Sequence, residues 1–260
     1  MLGIGNKIRT WLKDYLENAK LDSFVVGVSG GIDSAVTSTL CAMTGKPTYL
    51  LSMPIHQNEK ELQRAENHMR WLGEHYENVQ NLEFDLTTTY ETFKLMWLNE
   101  DDNLALANTR SRLRMTTLYH VATMNKGLVV GTGNKVEDFG VGFYTKYGDG
   151  GVDLSPIADL MKSQVRAIAK ELNIIDEIIK AKPTDGLWDD TRSDEDQIGA
   201  TYDELEKAME LKNKKISPDT LEGRSLEVYN ILDNFYNKNE HKMIPIPICK
   251  IPKELLNNSI

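Results

Sequence analysis

The chain has 260 residues, long enough for one large α/β domain or two small ones. Its formal charge of −9 argues against general affinity for nucleic acid, because a phosphate backbone rewards a basic face. No run approaches the roughly 18 to 20 uncharged apolar residues that span a bilayer, and Cys41 and Cys249 form no CxxC pair, so a cytoplasmic α/β protein with reduced thiols and no membrane partner is expected.

Residues 6–20 place Ile8, Trp11, Leu12, Tyr15 and Leu16 on one helical face. "SFVVGVS" then predicts a buried parallel strand, and "DSAVTSTLCAMTG" a helix that stops at Gly45. "PTYLLSMP" predicts a second strand, and "EKELQRAENHMRWLG" an amphipathic helix ending at Gly73. A third strand is expected in "VQNLEFDLT", a short helix near 88–98, and a long one over 104–124. "GLVVGTGN" is the fourth strand, ending in glycines. This alternation implies a doubly wound parallel sheet flanked by helices. Ligands in such sheets bind beyond the carboxyl ends of strands, where "SGGIDS" and "GTGNKVED" both fall.

Beyond residue 140 a glycine-rich, aromatic loop precedes helices expected at 162–171 and 174–180. The acidic stretch 186–197 lacks periodicity and is expected to form a lid. Helices are expected again at 201–211 and 219–237, followed by the tail "EHKMIPIPICKIPKELL". No repeat or linker divides the chain, so one domain over 1–260 is expected.

The first loop, Gly27 to Ser34, has the composition of a phosphate cradle. Backbone N–H groups in a glycine turn and at the following helix start converge on an anion. Gly30 and Gly31 allow close approach, and Ser29 and Ser34 add hydroxyl donors. A plain strand-to-helix turn capped by Ser29 or Asp33 is the alternative. The loop lacks the lysine of GxxxxGK[ST], which serves γ-phosphoryl transfer. An aspartate beside a polyphosphate makes sense with a metal between them, so Asp33 is a candidate Mg²⁺ ligand.

SGGxDS is the motif of the N-type ATP pyrophosphatases, and "SGGIDS" resembles it residue for residue. The resemblance implies an adenine-nucleotide alpha-hydrolase-like, Rossmann-like fold. It also implies that Gly27, Val28, Ser29, Gly30, Gly31, Ile32, Asp33 and Ser34 bind ATP, whose pyrophosphate leaves when a substrate oxygen attacks the α-phosphorus. "GTGNKVEDFGVGFYTKYGDGGVDLSPIADLMKSQV", "NTRSRLRM" at 108–115, "KPTDGL" at 182–187 and "EHK" at 240–242 further resemble, in order, the ammonia-dependent NAD synthetases. That family uses ATP and ammonia to amidate nicotinic acid adenine dinucleotide (deamido-NAD) through an NAD-adenylate, releasing AMP and pyrophosphate in the last step of NAD biosynthesis. It is a carbon–nitrogen ligase.

The resemblance implies that Thr132, Lys162 and Thr184 contact ATP, with Asp33 and Lys162 catalytic. Asp33 and Glu137 are its Mg²⁺ ligands, for two ions bound with ATP. Arg112, Lys146, Asp153, His241 and Lys242 match positions that hold deamido-NAD. Arg110, Arg112 and Arg114 alternate along a helix, so they cannot share one face. One more residue separates Glu137 from "FYTK" than in many members. The motifs begin at residue 25, leaving no room before them for the amidase domain of glutamine-dependent relatives, so free ammonia is the expected nitrogen donor. Members are homodimers that bind the dinucleotide near the subunit interface. A GMP synthetase subunit is the alternative enzyme, but it gives no account of "FYTKYGDGG" or "EHK". A tRNA-thiolating enzyme lacks its paired cysteines here, and a non-catalytic nucleotide sensor needs neither Glu137 nor Lys162.

Overall fold

The structure is a computed structural model that describes residues 2–97, 102–182 and 193–257. Four parallel strands form its sheet: β1 (Ser23–Gly27), β2 (Thr48–Ser52), β3 (Val79–Glu83) and β4 (Gly127–Val129). Their spatial order is β3-β2-β1-β4, so the chain starts in the middle and winds outward both ways. A parallel bridge between Val130 and Leu154 continues β4 beyond its last ladder residue.

The strand residues alternate between two cores, as the two-residue period of a strand requires. Phe24, Val26 and Leu50 face one side, packed with Leu12 and Leu16 of α1 (Leu2–Asn18), Val36 and Leu40 of α2 (Ile32–Ala42), Leu72 of α3 (Glu59–His75), and Val165 and Ile168 of α6 (Lys162–Glu171). Val25, Leu51 and Val129 face the other, against Val121 and Ala122 of α5 (Asn103–Met124). The short α4 (Thr87–Lys94) precedes α5, and α7 (Asp176–Ile179) follows α6. The helices on both faces are the doubly wound arrangement that the strand–helix alternation implied.

A third core lies beside the sheet. It joins a π-helix at Lys135–Val141 to α8 (Asp194–Ile198), α9 (Tyr202–Asn213) and α10 (Gly223–Met243), through Val136, Val141, Ile198, Leu205 and Leu232. The short α11 (Lys253–Asn257) lies in the tail.

Three expectations need correction. β4 ends at Val129, because the following glycines leave the ladder as a site loop. α10 runs to Met243, so His241 and Lys242 occupy its last turn rather than a tail, where cations suit the helix dipole. Residues 194–197 of the acidic stretch fall in α8, started by Ser193, whose side chain accepts from the Asp196 N–H; 186–192 lie outside the described residues. Among the described residues, no helix is long and apolar enough to cross a membrane.

Candidate active site

Strand order fixes where the site opens. β1 and β4 are neighbours whose connections depart in opposite directions, and the crevice between their carboxyl ends is the expected ligand position. A cavity of about 270 Å³ lies there, lined from the β1 side by Gly27 to Ser29 and Gly31 to Ser34. Gly131, Thr132, Gly133 and Glu137 line it from the β4 side.

The first loop is braced internally. Ser34 Oγ donates to the Gly31 carbonyl at 2.9 Å and accepts from the Ser29 N–H at 3.2 Å. Gly30 has φ +83, and a Cβ there would meet the Glu61 carbonyl of α3 at 2.5 Å. Glycine is therefore required twice over, by backbone conformation and by α3 packed against the loop. No side chain caps α2, which leaves its first-turn N–H groups facing the cavity.

Three charged side chains converge across the crevice. Lys162 Nζ, at the start of α6, donates to Asp33 Oδ2 at 2.5 Å and to Glu137 Oε1 at 2.8 Å. The lysine side chain is only 3% exposed, against 16% for Asp33 and 17% for Glu137. Burial by itself depresses an ammonium, but the two carboxylates outweigh it and hold Lys162 above its ordinary value. Burial raises Asp33 above the usual carboxylate range, with the Glu137 charge adding to it against Lys162. Burial pushes Glu137 the same way, yet Lys162 and the Tyr202 and Asn134 hydrogen bonds prevail and keep it low.

Two residues that the sequence motifs did not flag hold this triad. Asn134 caps the π-helix, accepting from Val136 N–H at 3.0 Å and Glu137 N–H at 3.1 Å, while its Nδ2 donates to Asp33 Oδ1 at 3.2 Å. An Asn at the end of a glycine turn is a legible cap signal. Tyr202, fully buried at the start of α9, donates its hydroxyl to Glu137 Oε1. Its ring lies 4.8 Å from Lys162 Nζ. Nothing in "TYDE" announces that reach. Asp138 also lines the cavity, and burial, then the charges of Glu137, Asp149 and Asp33, push its carboxyl well above the usual range. A Cβ on Gly133 would lie 2.0 Å from Asp138 Oδ2, so this approach needs glycine.

The residues expected to hold deamido-NAD are placed differently. Of the three arginines, Arg114 lines the cavity, donating to the Met53 carbonyl at 3.0 Å and to Gln57 Oε1 at 2.9 Å. Arg110 is buried, 4.9 Å from the Tyr90 ring, and Arg112 is exposed. Arg112 Nε and Nη2 lie 3.4 Å from the Lys146 carbonyl, and Lys146 Nζ donates to the His241 carbonyl at 2.6 Å. Arg112, Lys146 and His241 thus form one cluster outside the cavity wall. Lys242 donates to the carbonyls of Gly142 and Tyr144 and lines a second cavity of about 190 Å³, which shares Gly131, Gly133 and Asp138 with the first. Asp153 is tied to the fold, accepting from Tyr119 Oη at 3.0 Å and Val129 N–H at 2.8 Å. Thr184 lies outside the described residues.

Comparison with known proteins gives a consistent answer. A family model described as NAD synthase matches residues 4–245. The NH(3)-dependent NAD(+) synthetase of Finegoldia magna is 38% identical over 216 residues, covering 79% of this chain and 87% of the relative. That of Methanosarcina acetivorans is 35% identical over 260 residues, covering 95% and 97%. Among solved structures, an NMN synthetase from Francisella tularensis has a TM-score of 0.85 at 30% identity, covering 96% of this chain and 98% of that one. An NH3-dependent NAD synthetase from Campylobacter jejuni has a TM-score of 0.78 at 26% identity, covering 96% and 98%.

Proposed function

The chain belongs to the NAD synthase family, and from that premise we propose that it joins ammonia to the nicotinate carboxylate of deamido-NAD, with ATP converted to AMP and pyrophosphate. The observation that carries this is the Asp33–Lys162–Glu137 triad at the mouth of a phosphate-binding loop. A carboxylate is a poor acyl donor until its oxygen is made part of a leaving group. One carboxylate oxygen attacks the α-phosphorus, the bond from that phosphorus to the pyrophosphate oxygen breaks, and the electron pair departs with pyrophosphate. Ammonia then attacks the acyl carbon, AMP leaves with the electron pair of the C–O bond, and the surplus proton passes to solvent.

The residues have separate tasks. Gly27 to Ser34 and the α2 N-terminus receive the departing pyrophosphate. Thr132 contacts ATP from the opposite wall, and Lys162 contributes positive charge where negative charge accumulates. Asp33 and Glu137 are hard oxygen donors that already converge on one cation, the Lys162 ammonium. That donor chemistry fits Mg²⁺, which takes one or two protein carboxylates and fills its remaining positions with phosphate oxygens and water. Bound there with ATP, Mg²⁺ would supply Lewis-acid stabilisation of charge on the phosphates.

A homodimer and a cytoplasmic location belong to the same proposal. The cluster of Arg112, Lys146 and His241 off the cavity wall supports the first, because a dinucleotide held by those residues then extends beyond this cavity to a second copy of the chain.

The testing assay uses purified chain, ATP, Mg²⁺, ammonium and deamido-NAD, with AMP, ADP, pyrophosphate and NAD followed together. NAD, AMP and pyrophosphate are expected in equal amounts, and ADP in place of AMP overturns the proposal. The likeness to the Francisella tularensis NMN synthetase makes nicotinic acid mononucleotide the second acceptor to assay. It carries the same nicotinate carboxylate, and a higher kcat/KM for it reassigns the substrate while leaving the chemistry unchanged.

A further inference from the structure

We propose that Arg166 is a further catalytic residue, donating hydrogen bonds to the pyrophosphate as it leaves the α-phosphorus; this rests on the adenylation chemistry proposed above. Lys162 and Arg166 are four residues apart on α6, so they project from one face, separated by one turn of about 5.4 Å. Both line the cavity that the phosphate-binding loop opens into.

Charge balance in the wall shows why the second cation matters. Lys162 is already held by two carboxylates, so the triad as a unit carries one net negative charge. The Mg²⁺ proposed at Asp33 and Glu137 would offset that charge for the entering polyphosphate, and a further cation on the same wall would offset the charge that builds on the departing pyrophosphate. Arg114 is engaged with the Met53 carbonyl and Gln57 on the β2 side of the cavity, and Lys182 is exposed. Arg166 is half-buried and, among the described residues, pairs with no carboxylate. Its guanidinium carbon lies 6.0 Å from the centre of the Tyr202 ring, the same ring that faces Lys162 Nζ.

Tyr202 is a positioning residue in this arrangement. Its buried ring stands beside Arg166, and its hydroxyl is pinned by Glu137 with Asp194 Oδ2 at 3.2 Å. A guanidinium 6.0 Å from the centre of a fixed ring lies within cation–π range while its N–H edges stay available to an anion, and its planar fork matches two phosphate oxygens at once. As the α-phosphorus–oxygen bond breaks, the electron pair and its charge move onto the oxygen that joined the α- and β-phosphorus, now a terminal oxygen of pyrophosphate. Donors already aimed at that position act without reorganisation.

The test compares Arg166→Gln and Arg166→Lys with the parent chain, using Mg²⁺–pyrophosphate as an inhibitor competing with ATP. Arg166→Gln is expected to weaken pyrophosphate inhibition about tenfold or more and lower kcat about a hundredfold. Arg166→Lys restores part of both, and deamido-NAD binding changes in neither variant. Thermal unfolding checks that each variant folds; if Arg166→Gln does not, Arg166→Lys, which keeps the charge but loses the fork, carries the test with a smaller loss. Inhibition and kcat within about twofold of the parent in the folded variant overturn the assignment. If the parent itself releases ADP, the adenylation proposal fails and takes this inference with it. If the parent releases AMP and pyrophosphate while the variants match it, only the role of Arg166 fails.

Discussion

Lys162 stands where two carboxylates would otherwise face each other across a crevice with little water between them. Replacing it with methionine removes the one cation that, among the described residues, both acids share, so the folded state then holds two like charges. Lys162→Met is expected to cost roughly 3–5 kcal/mol at pH 8, measured by chemical denaturation. The sign follows from the acids: in the variant their folded pKa values rise above the unfolded ones, so the penalty is full above the folded values and fades as pH falls through them. Asp33→Asn and Glu137→Gln keep shape and should leave the fold intact while lowering kcat about a hundredfold or more; full activity in either removes it from the site. Gly30→Ala combines a left-handed φ of +83 with a Cβ 2.5 Å from the Glu61 carbonyl. A loss of about 2 kcal/mol or more is expected in the same denaturation measurement, and an unchanged midpoint contradicts the tight packing of α3 on the loop. Asp33, Glu137 and Lys162 were legible because each sits inside a motif. Tyr202 and Arg166 were not, since their places depend on α6 and α9 packing side by side.

The helices and strands were legible where apolar spacing is regular, as in β1, α3 and α6, and blurred where function interrupts it. The clearest case is Lys135–Val141. These residues form a π-helix, whose turn is wider than that of an α-helix. Val136 and Val141 both stay buried in the core shared with α9 and α10, while Glu137 remains turned to Lys162. Sequence periodicity gives no sign of this, because one π-turn has too few apolar positions to show a period. A second element-scale feature is the α2–α3 contact, where His68 is fully buried with Nε2 3.0 Å from Ser38 Oγ and its ring stacked on Trp71. Burial pushes His68 down to about 4 from about 6.5. Its folded pKa is thus depressed, so neutral His68 stabilises the fold above pH 6.5, and that contribution is lost as pH falls from 6.5 toward 4, amounting to about 3 kcal/mol. His68→Phe should flatten the stability-versus-pH curve across that window, and an unchanged slope excludes His68 as its source.

At the scale of the molecule, strand order β3-β2-β1-β4 brings residues 33, 137, 162 and 202 to one crevice. The alternation of strands and helices made a parallel sheet legible, but the adjacency of β1 and β4 is a tertiary fact. It was reachable only through the rule that sites form where winding reverses. The same architecture leaves Arg112, Lys146 and His241 outside the cavity, and dimerisation is the expected reason. Sedimentation should give twice the 29.5 kDa chain mass, and a monomer that retains full activity contradicts the role of that cluster in a shared site. This crevice is expected to activate a carboxylate by adenylation. Deamido-NAD labelled with ¹⁸O in its nicotinate carboxylate tests it directly, with mass spectrometry of the products. One labelled oxygen should appear in the phosphate of AMP for each NAD formed; label in inorganic phosphate, alongside ADP, contradicts the account.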